Sequence, residues 1–152
     1  MAIAGFIEKG ARVADIGTDH GHLPVFLAQS GLASSIIASD MSGGSLKSAI
    51  ASADKYGVSD KITFVTASGL AGVSVADVDT IVISGLGGET ISSILEDAPW
   101  TKSPDVRLIL QPQTKLGKLC TWLRDNGYSV KDARHVKDRG RVYTVLLVVY
   151  GA

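Results

Sequence analysis

Two carboxylates, one at a strand end and one in the glycine turn that follows, stand in the run Val13-Ala-Asp-Ile-Gly-Thr-Asp-His-Gly-His-Leu-Pro24. Asp15 lies near the end of an apolar stretch of Val13, Ala14 and Ile16, and Asp19 falls between Gly17 and Gly21. An apolar run that stops at glycine and hands over to a helical pattern is the first βα unit of a doubly wound sheet. Turns of this kind usually receive phosphate, and two acids there would repel it. They suit a cationic ligand. The glycines let the backbone come close, and the helix N-terminus that follows can receive a carboxylate. His20 and His22 flank Gly21, but two histidines and one acid so close in the chain would need strained geometry to share a metal, and none is expected.

Four further strand ends carry polar or small residues, and in this fold ligands bind outside the carboxyl ends of the strands. Ser39-Asp40-Met41 puts an acid about twenty residues past the turn, the place of a carboxylate that holds two ribose hydroxyls. Such an acid serves NAD and S-adenosylmethionine alike. The spacing Gly17-x-x-x-Gly21 departs from the Gly-x-Gly-x-x-Gly fingerprint of dinucleotides, whereas the ammonium and sulfonium of S-adenosylmethionine match Asp15 and Asp19. Ala67-Ser68-Gly69 ends the third strand, where many methyltransferases place an acid that accepts from the adenine amino group. The fourth ends in Ser84-Gly-Leu-Gly-Gly88, backbone free to border a cofactor methyl and an acceptor. The fifth ends in Leu110-Gln-Pro-Gln113, two primary amides able to read a base edge or simply to face water.

The elements that must position these residues alternate. Strands read at about 12–17, 35–40, 61–66, 78–84 and 106–111, with helices at about 21–31, 43–57, 87–97 and 114–126. Ser42 is an N-cap and Gly57 a stop for the second helix. Residues 2–8 read as the tail of a helix, and 68–77 are too short and glycine-rich for more than a turn. Tyr128–Arg139 and Val142–Tyr150 are strand-like around the turn Asp138-Arg-Gly-Arg141, an antiparallel hairpin at the sheet edge. Parallel strands closed by a hairpin describe an α/β class I methyltransferase sheet, Rossmann-like and mostly parallel. Six-stranded dinucleotide folds are parallel throughout.

Composition agrees with one domain spanning 1–152. The chain is 45% hydrophobic and 20% charged, with mean hydropathy +0.24, values of a folded α/β protein. No run is long enough to span a membrane and no leader is expected. The single cysteine, Cys120, shares helical spacing with Leu116, Leu119 and Leu123 and is expected in the core, in a cytoplasmic protein. The net charge of zero hides a split: residues 1–101 carry −6 and residues 102–152 carry +6. That asymmetry marks either a polyanion-facing side or charge scattered over a solvated surface.

The runs 13–24, Ala38-Ser-Asp40, Ile83-Ser-Gly-Leu-Gly-Gly88 and Leu110-Gln-Pro112 resemble the bacterial tRNA (adenine(22)-N1)-methyltransferase family, TrmK, and the similarity continues through Trp122-Leu-Arg-Asp-Asn-Gly-Tyr128 and the final hairpin. The resemblance implies methyl transfer from S-adenosylmethionine to N1 of a tRNA adenine. It assigns Asp15, Gly17, Asp40, Gly69, Ser84 and Gly85 to the cofactor and makes Asp19 the catalytic carboxylate. Thr18, Gly21, Met41 and Ser68 join the expected cofactor contacts by position, and Gly87, Gly88, Gln111, Pro112 and Gln113 the expected acceptor side. Adenine N1 already holds a lone pair, so a carboxylate has only to stabilise the charge that builds on the ring. The Ser84-Gly-Leu-Gly sequence stands where exocyclic-amine enzymes carry an Asn/Asp-Pro-Pro-aromatic loop. Ser68 and Gln113 depart from the family's usual acid and Asn. The family's longer N-terminal helix and helical C-terminal subdomain lie outside the match, so weak tRNA binding is expected. Two alternatives stay open: a methyltransferase for another RNA or a small molecule, and a non-catalytic module that binds cofactor or RNA. An NAD oxidoreductase is disfavoured by the missing fingerprint.

Overall fold

The computed structural model describes residues 2–19 and 21–151. One seven-stranded sheet forms the frame, with strands β1 (Ala11–Ile16), β2 (Ala33–Asp40), β3 (Thr63–Thr66), β4 (Thr80–Gly87), β5 (Arg107–Thr114), β6 (Tyr128–Asp138) and β7 (Arg141–Tyr150). Helices α1 (His22–Ser30), α2 (Gly43–Lys55), α3 (Gly88–Glu96) and α4 (Leu116–Asp125) connect them. The order across the sheet is β3-β2-β1-β4-β5-β7-β6. The first five strands pair in parallel, and β7 pairs antiparallel with both β5 and β6. Strand order reverses between β1 and β4, which opens a crevice at their carboxyl ends.

The period of two in each strand feeds two cores. Ala14, Ile16, Ile81, Ile83, Leu108, Leu110, Leu146 and Val148 face one layer, where they pack with Ile91 and Leu95 of α3 and Leu119 and Leu123 of α4. Val13, Val82, Ile109 and Val145 face the other, against Leu23, Val25 and Leu27 of α1 and Ala53 of α2. Each fully buried Ile or Leu contributes roughly 1.5–3 kcal/mol relative to exposure. The central strands are thus held from both sides, and the turns at their ends are carried on a rigid base. Cys120 is half-buried and packs against the first core.

The expected class of sheet and its hairpin are present, and three boundaries differ. β4 runs on to Gly87 because β5 keeps pairing with it, Leu86 with Pro112 and Gly87 with Thr114, through two register shifts. α4 begins only at Leu116, since Lys115 before it takes a left-handed φ of 60°. The N-terminal segment forms a 3-10 turn, Ala4–Phe6, that buries Phe6, where the tail of a helix was expected. Ser42 caps α2 by accepting from the Ser45 amide at 3.3 Å. In the hairpin, Arg139 and Gly140 both have positive φ, 50° and 77°, the requirement of a two-residue turn that matches strand twist. Among the described residues, no helix is long and apolar enough to cross a membrane.

Candidate active site at the strand carboxyl ends

A cavity of about 360 Å³ opens where β1, β2, β3 and β4 end, within the ~300–1,000 Å³ typical of small-molecule sites. Gly17, Asp19, Asp40, Met41, Ser68, Gly69, Ser84 and Gly85 all line it, so four strand ends separated by up to 68 residues meet as the sequence predicted. An adjoining cavity of about 380 Å³ shares Ser68, Gly69 and Ile94 and continues to Asp97 and Trp100. A pocket of similar size at the opposite end of the sheet is lined by Glu8, Asp79 and Arg107. There Arg107 pairs with Glu8 at 2.6 Å, close to an Arg12–Asp79 pair, so its charges serve one another.

Backbone bonds tie the glycine turn to β2. The amides of Gly17 and Thr18 donate to the Ser39 carbonyl at 2.8 and 3.2 Å. Asp40 then braces both sides: its Oδ2 accepts from the Asp19 amide at 3.2 Å and its Oδ1 from the Ser42 amide at 2.9 Å. Each oxygen retains a further lone pair, and the two together can accept from a vicinal diol. Asp19 has φ 55°, a left-handed conformation that aspartate tolerates better than most residues, and it is exposed at the cavity. Met41, 72% exposed, forms an apolar wall.

Several expected site residues sit elsewhere. Asp15 is only 5% exposed and lies outside the cavity lining. Burial pushes its carboxyl up to about 7; the nearby Thr18 hydroxyl partly offsets the rise and the charge of Asp40 adds to it. Thr18 is buried too, and its hydroxyl makes no hydrogen bond of full geometry. Gly21, with φ 75°, is a packing glycine: an added Cβ would meet Ala49 of α2 at 3.0 Å. Gly88 is another, since a Cβ there would lie 2.5 Å from the Lys115 carbonyl oxygen. Gly87 is half-buried at the end of β4, where a Cβ would meet the Thr114 hydroxyl at 3.1 Å.

Gln111, one of the two amides expected either to read a base edge or to face water, turns inward. Its Oε1 accepts from both the Ser84 hydroxyl and the Gly85 amide, each at 3.0 Å, and its Nε2 donates weakly to the Pro112 carbonyl at 3.4 Å. The amide is occupied because β5 lies directly beside β4, Gln111 opposite Ser84. Gln113, two residues on, is exposed and borders a second cavity of about 300 Å³ together with Ser84, Gln111, Val136, Tyr143 and Val145. Pro112 is buried and, with Gln113, borders a third of about 400 Å³.

His22 is exposed at the first position of α1; His20 lies outside the described residues. Among the described residues, no three His, Cys, Asp or Glu side chains gather to hold a metal. Sequence reasoning missed Leu86, Thr90 and Ile94, which complete the cavity wall. The spacing of Thr90 and Ile94, four apart on α3, was the available signal, because such residues share a helix face.

Comparison with known proteins matches this geometry. A family model described as a methyltransferase domain covers residues 1–146. The tRNA (adenine(22)-N(1))-methyltransferase of Bacillus subtilis (strain 168) is 33% identical over 151 residues, 99% of this chain and 63% of the relative. The chain spans about six tenths of the length of the curated relatives it matches. A crystal structure of the B. subtilis M1A22 tRNA methyltransferase TrmK superposes with a TM-score of 0.89 at 32% identity, covering 99% of this chain and 64% of that one. Streptococcus pneumoniae Sp1610 in complex with S-adenosyl-L-methionine gives 0.91 at 34%, over 99% and 71%. M. capricolum TrmK with S-adenosyl-homocysteine gives 0.85 at 25%, over 99% and 68%. The resemblance read from the motifs therefore extends along the whole chain and to the fold.

Proposed function

Since the chain belongs to the methyltransferase-domain family, we propose that it transfers a methyl group from S-adenosylmethionine to N1 of an adenine in tRNA, in the cytoplasm. The observation that carries this reading is the cavity at the carboxyl ends of β1 to β4, with Asp40 braced by two amides and Asp19 at its mouth. The donor set fits the cofactor: a diol-binding carboxylate, an apolar wall at Met41, and backbone at Ser68–Gly69 and Ser84–Gly85. Bound S-adenosylmethionine supplies an electrophilic methyl group.

In this reading Asp40 holds the ribose hydroxyls. Gly17 gives the backbone approach, and Ser68 with Gly69 borders the adenine of the cofactor. Ser84 and Gly85 line the approach to the methyl. Asp15 and Thr18 act from beneath the turn and set its shape. The acceptor N1 uses its own lone pair to form the new N–C bond, while the S–C bond breaks and its electrons stay on sulfur. Positive charge appears on the acceptor ring, and the Asp19 carboxylate stabilises it and later takes a proton. Most of the acceleration comes from holding methyl and acceptor in line. N1 lies on the pairing edge of the base, so the target adenine enters unpaired or flipped out.

The test is mass-spectrometric detection of 1-methyladenosine in bacterial tRNA incubated with the chain and cofactor, beside calorimetry of cofactor binding. Asp40→Ala is expected to abolish cofactor binding. Asp19→Ala should remove methyl transfer and leave cofactor affinity largely intact. A wild-type chain that gives no binding heat refutes the cofactor reading, and an Asp19→Ala variant of full activity refutes its catalytic role.

A further inference from the structure

The cofactor cavity and the second and third cavities, all on the carboxyl side of the sheet, share walls. Ser84 borders both the cofactor cavity and the second cavity, and Gln113 and Tyr143 border both the second and the third. Their linings also change in character along that path. The second is walled by Val136, Val145 and the half-buried ring of Tyr143, with the Gln113 amide at its rim. The third is edged by the exposed cations Lys115 and Arg141 and by the hydroxyls of Thr114 and Thr144. None of the residues lining it is acidic. Nearby Glu89 is already paired with Lys118 at 3.0 Å.

Lys115 is held there by backbone packing. Its carbonyl oxygen lies where a side chain at position 88 would stand, so Gly88 permits the approach. Its left-handed φ of 60° directly precedes the ten-residue helix α4. The first turn of α4, at Leu116, opens onto the same groove, and a helix N-terminus favours anions. Arg141 stands across from it, at the start of β7.

We propose that the second and third cavities seat one unpaired adenosine nucleotide of the RNA acceptor. Its base stacks on Tyr143 beside Gln113, and its phosphate lies between Lys115 and Arg141. This inference rests on the methyl-transfer reading above and adds to it the path by which the acceptor reaches Ser84. An aromatic ring next to paired cations is the usual recipe for a single-stranded nucleotide, the ring taking the base face and the cations the backbone. It gives two of the ten Lys and Arg residues of 102–152 a shared location.

The test uses fluorescence anisotropy with two probes, bulk bacterial tRNA and a short uridine-rich RNA holding one adenosine, across a salt series. Each phosphate contact adds nearly one to the slope of log affinity against log salt. The double variant Lys115→Ala/Arg141→Ala removes this one phosphate contact and should therefore lose about one from that slope, and the control Lys102→Ala/Arg124→Ala should leave it unchanged. Tyr143→Ala should weaken binding of the adenosine probe about tenfold and Tyr143→Phe should retain it. Cofactor calorimetry on every variant reports that the fold and first cavity are intact. In methyl-transfer assays the Lys115/Arg141 variant should raise KM for RNA and keep the single-turnover rate at saturating RNA. The proposal is overturned if the wild-type chain binds neither probe, if the control pair lowers the slope as much, or if Tyr143→Ala binds normally. RNA binding through this groove without methyl transfer overturns the reading of the activity and leaves the groove standing.

Discussion

Replacing Gln111 by Leu isolates the clamp that joins β5 to the wall of the cofactor cavity. The side chain keeps nearly the same volume and loses the one acceptor that holds the Ser84 hydroxyl and the Gly85 amide, both at 3.0 Å. Gly85 is exposed and Ser84 half-buried, so both donors can turn partly to water. The lower end of the scale therefore applies, about 1 kcal/mol for each bond. The weak contact to Pro112 adds little, and the total is roughly 2 kcal/mol. For a domain of this length each kcal/mol moves the midpoint by ~2–4 °C, so Tm should fall by about 4–8 °C. Thermal melting checks this. Calorimetry should show weaker binding of S-adenosylmethionine in the same variant, because Ser84 and Gly85 line the cavity. A Gln111→Leu chain with unchanged Tm and unchanged affinity would refute the clamp.

Other positions give separate tests. Gly88→Ala places a Cβ 2.5 Å from the Lys115 oxygen and 2.9 Å from that of Thr114, so the backbone there must shift; urea unfolding should show a loss of ~1–3 kcal/mol. Gly21→Ala meets Ala49 at 3.0 Å at a φ of 75° and should lose a comparable amount, also read by urea. Asp15 has its carboxyl raised from 3.8 to about 7 by burial, so the folded state binds the extra proton between those values. Stability should fall as pH rises through about 4 to 7, by at most roughly 4 kcal/mol. Asp15→Asn should flatten that slope in melts taken across the range, and an unchanged slope would count against a buried acid there.

What the sequence made legible follows from how local each signal is. Strands β1, β4 and β5 announce themselves as Val, Ile and Leu runs because both faces of a central strand are buried. The turn from Gly17 to Gly21 and the cap at Ser42 are written within a few residues, and so was the gathering of Asp40, Ser68 and Ser84, which the fold's topology implies. The same reasoning did not foresee the packing roles of Gln111, Gly88 and Gly21, because the partner in each case is far away in the chain. Gln111 is bonded 27 residues back, at Ser84. Gly88 makes room for Lys115 and Gly21 for Ala49. The inward burial of Asp15 was equally hidden, for an acid at a strand end reads alike whether it faces a ligand or the space beneath a turn.

The insertion of β7 between β5 and β6 bears on how the chain is made. Synthesis runs from the N-terminus, so β5 emerges well before the strand that will cover its edge. Arg107–Leu110 pairs with Leu146–Val149, and in the interval β5 carries an unpaired row of backbone groups beside an apolar face. Such an edge is a template for wrong partners. The preceding strands can begin to pair while the ribosome is still working, but the sheet closes only when β7 slips in beside β5. Late closure through contacts distant in the chain is slow to fold and open to aggregation.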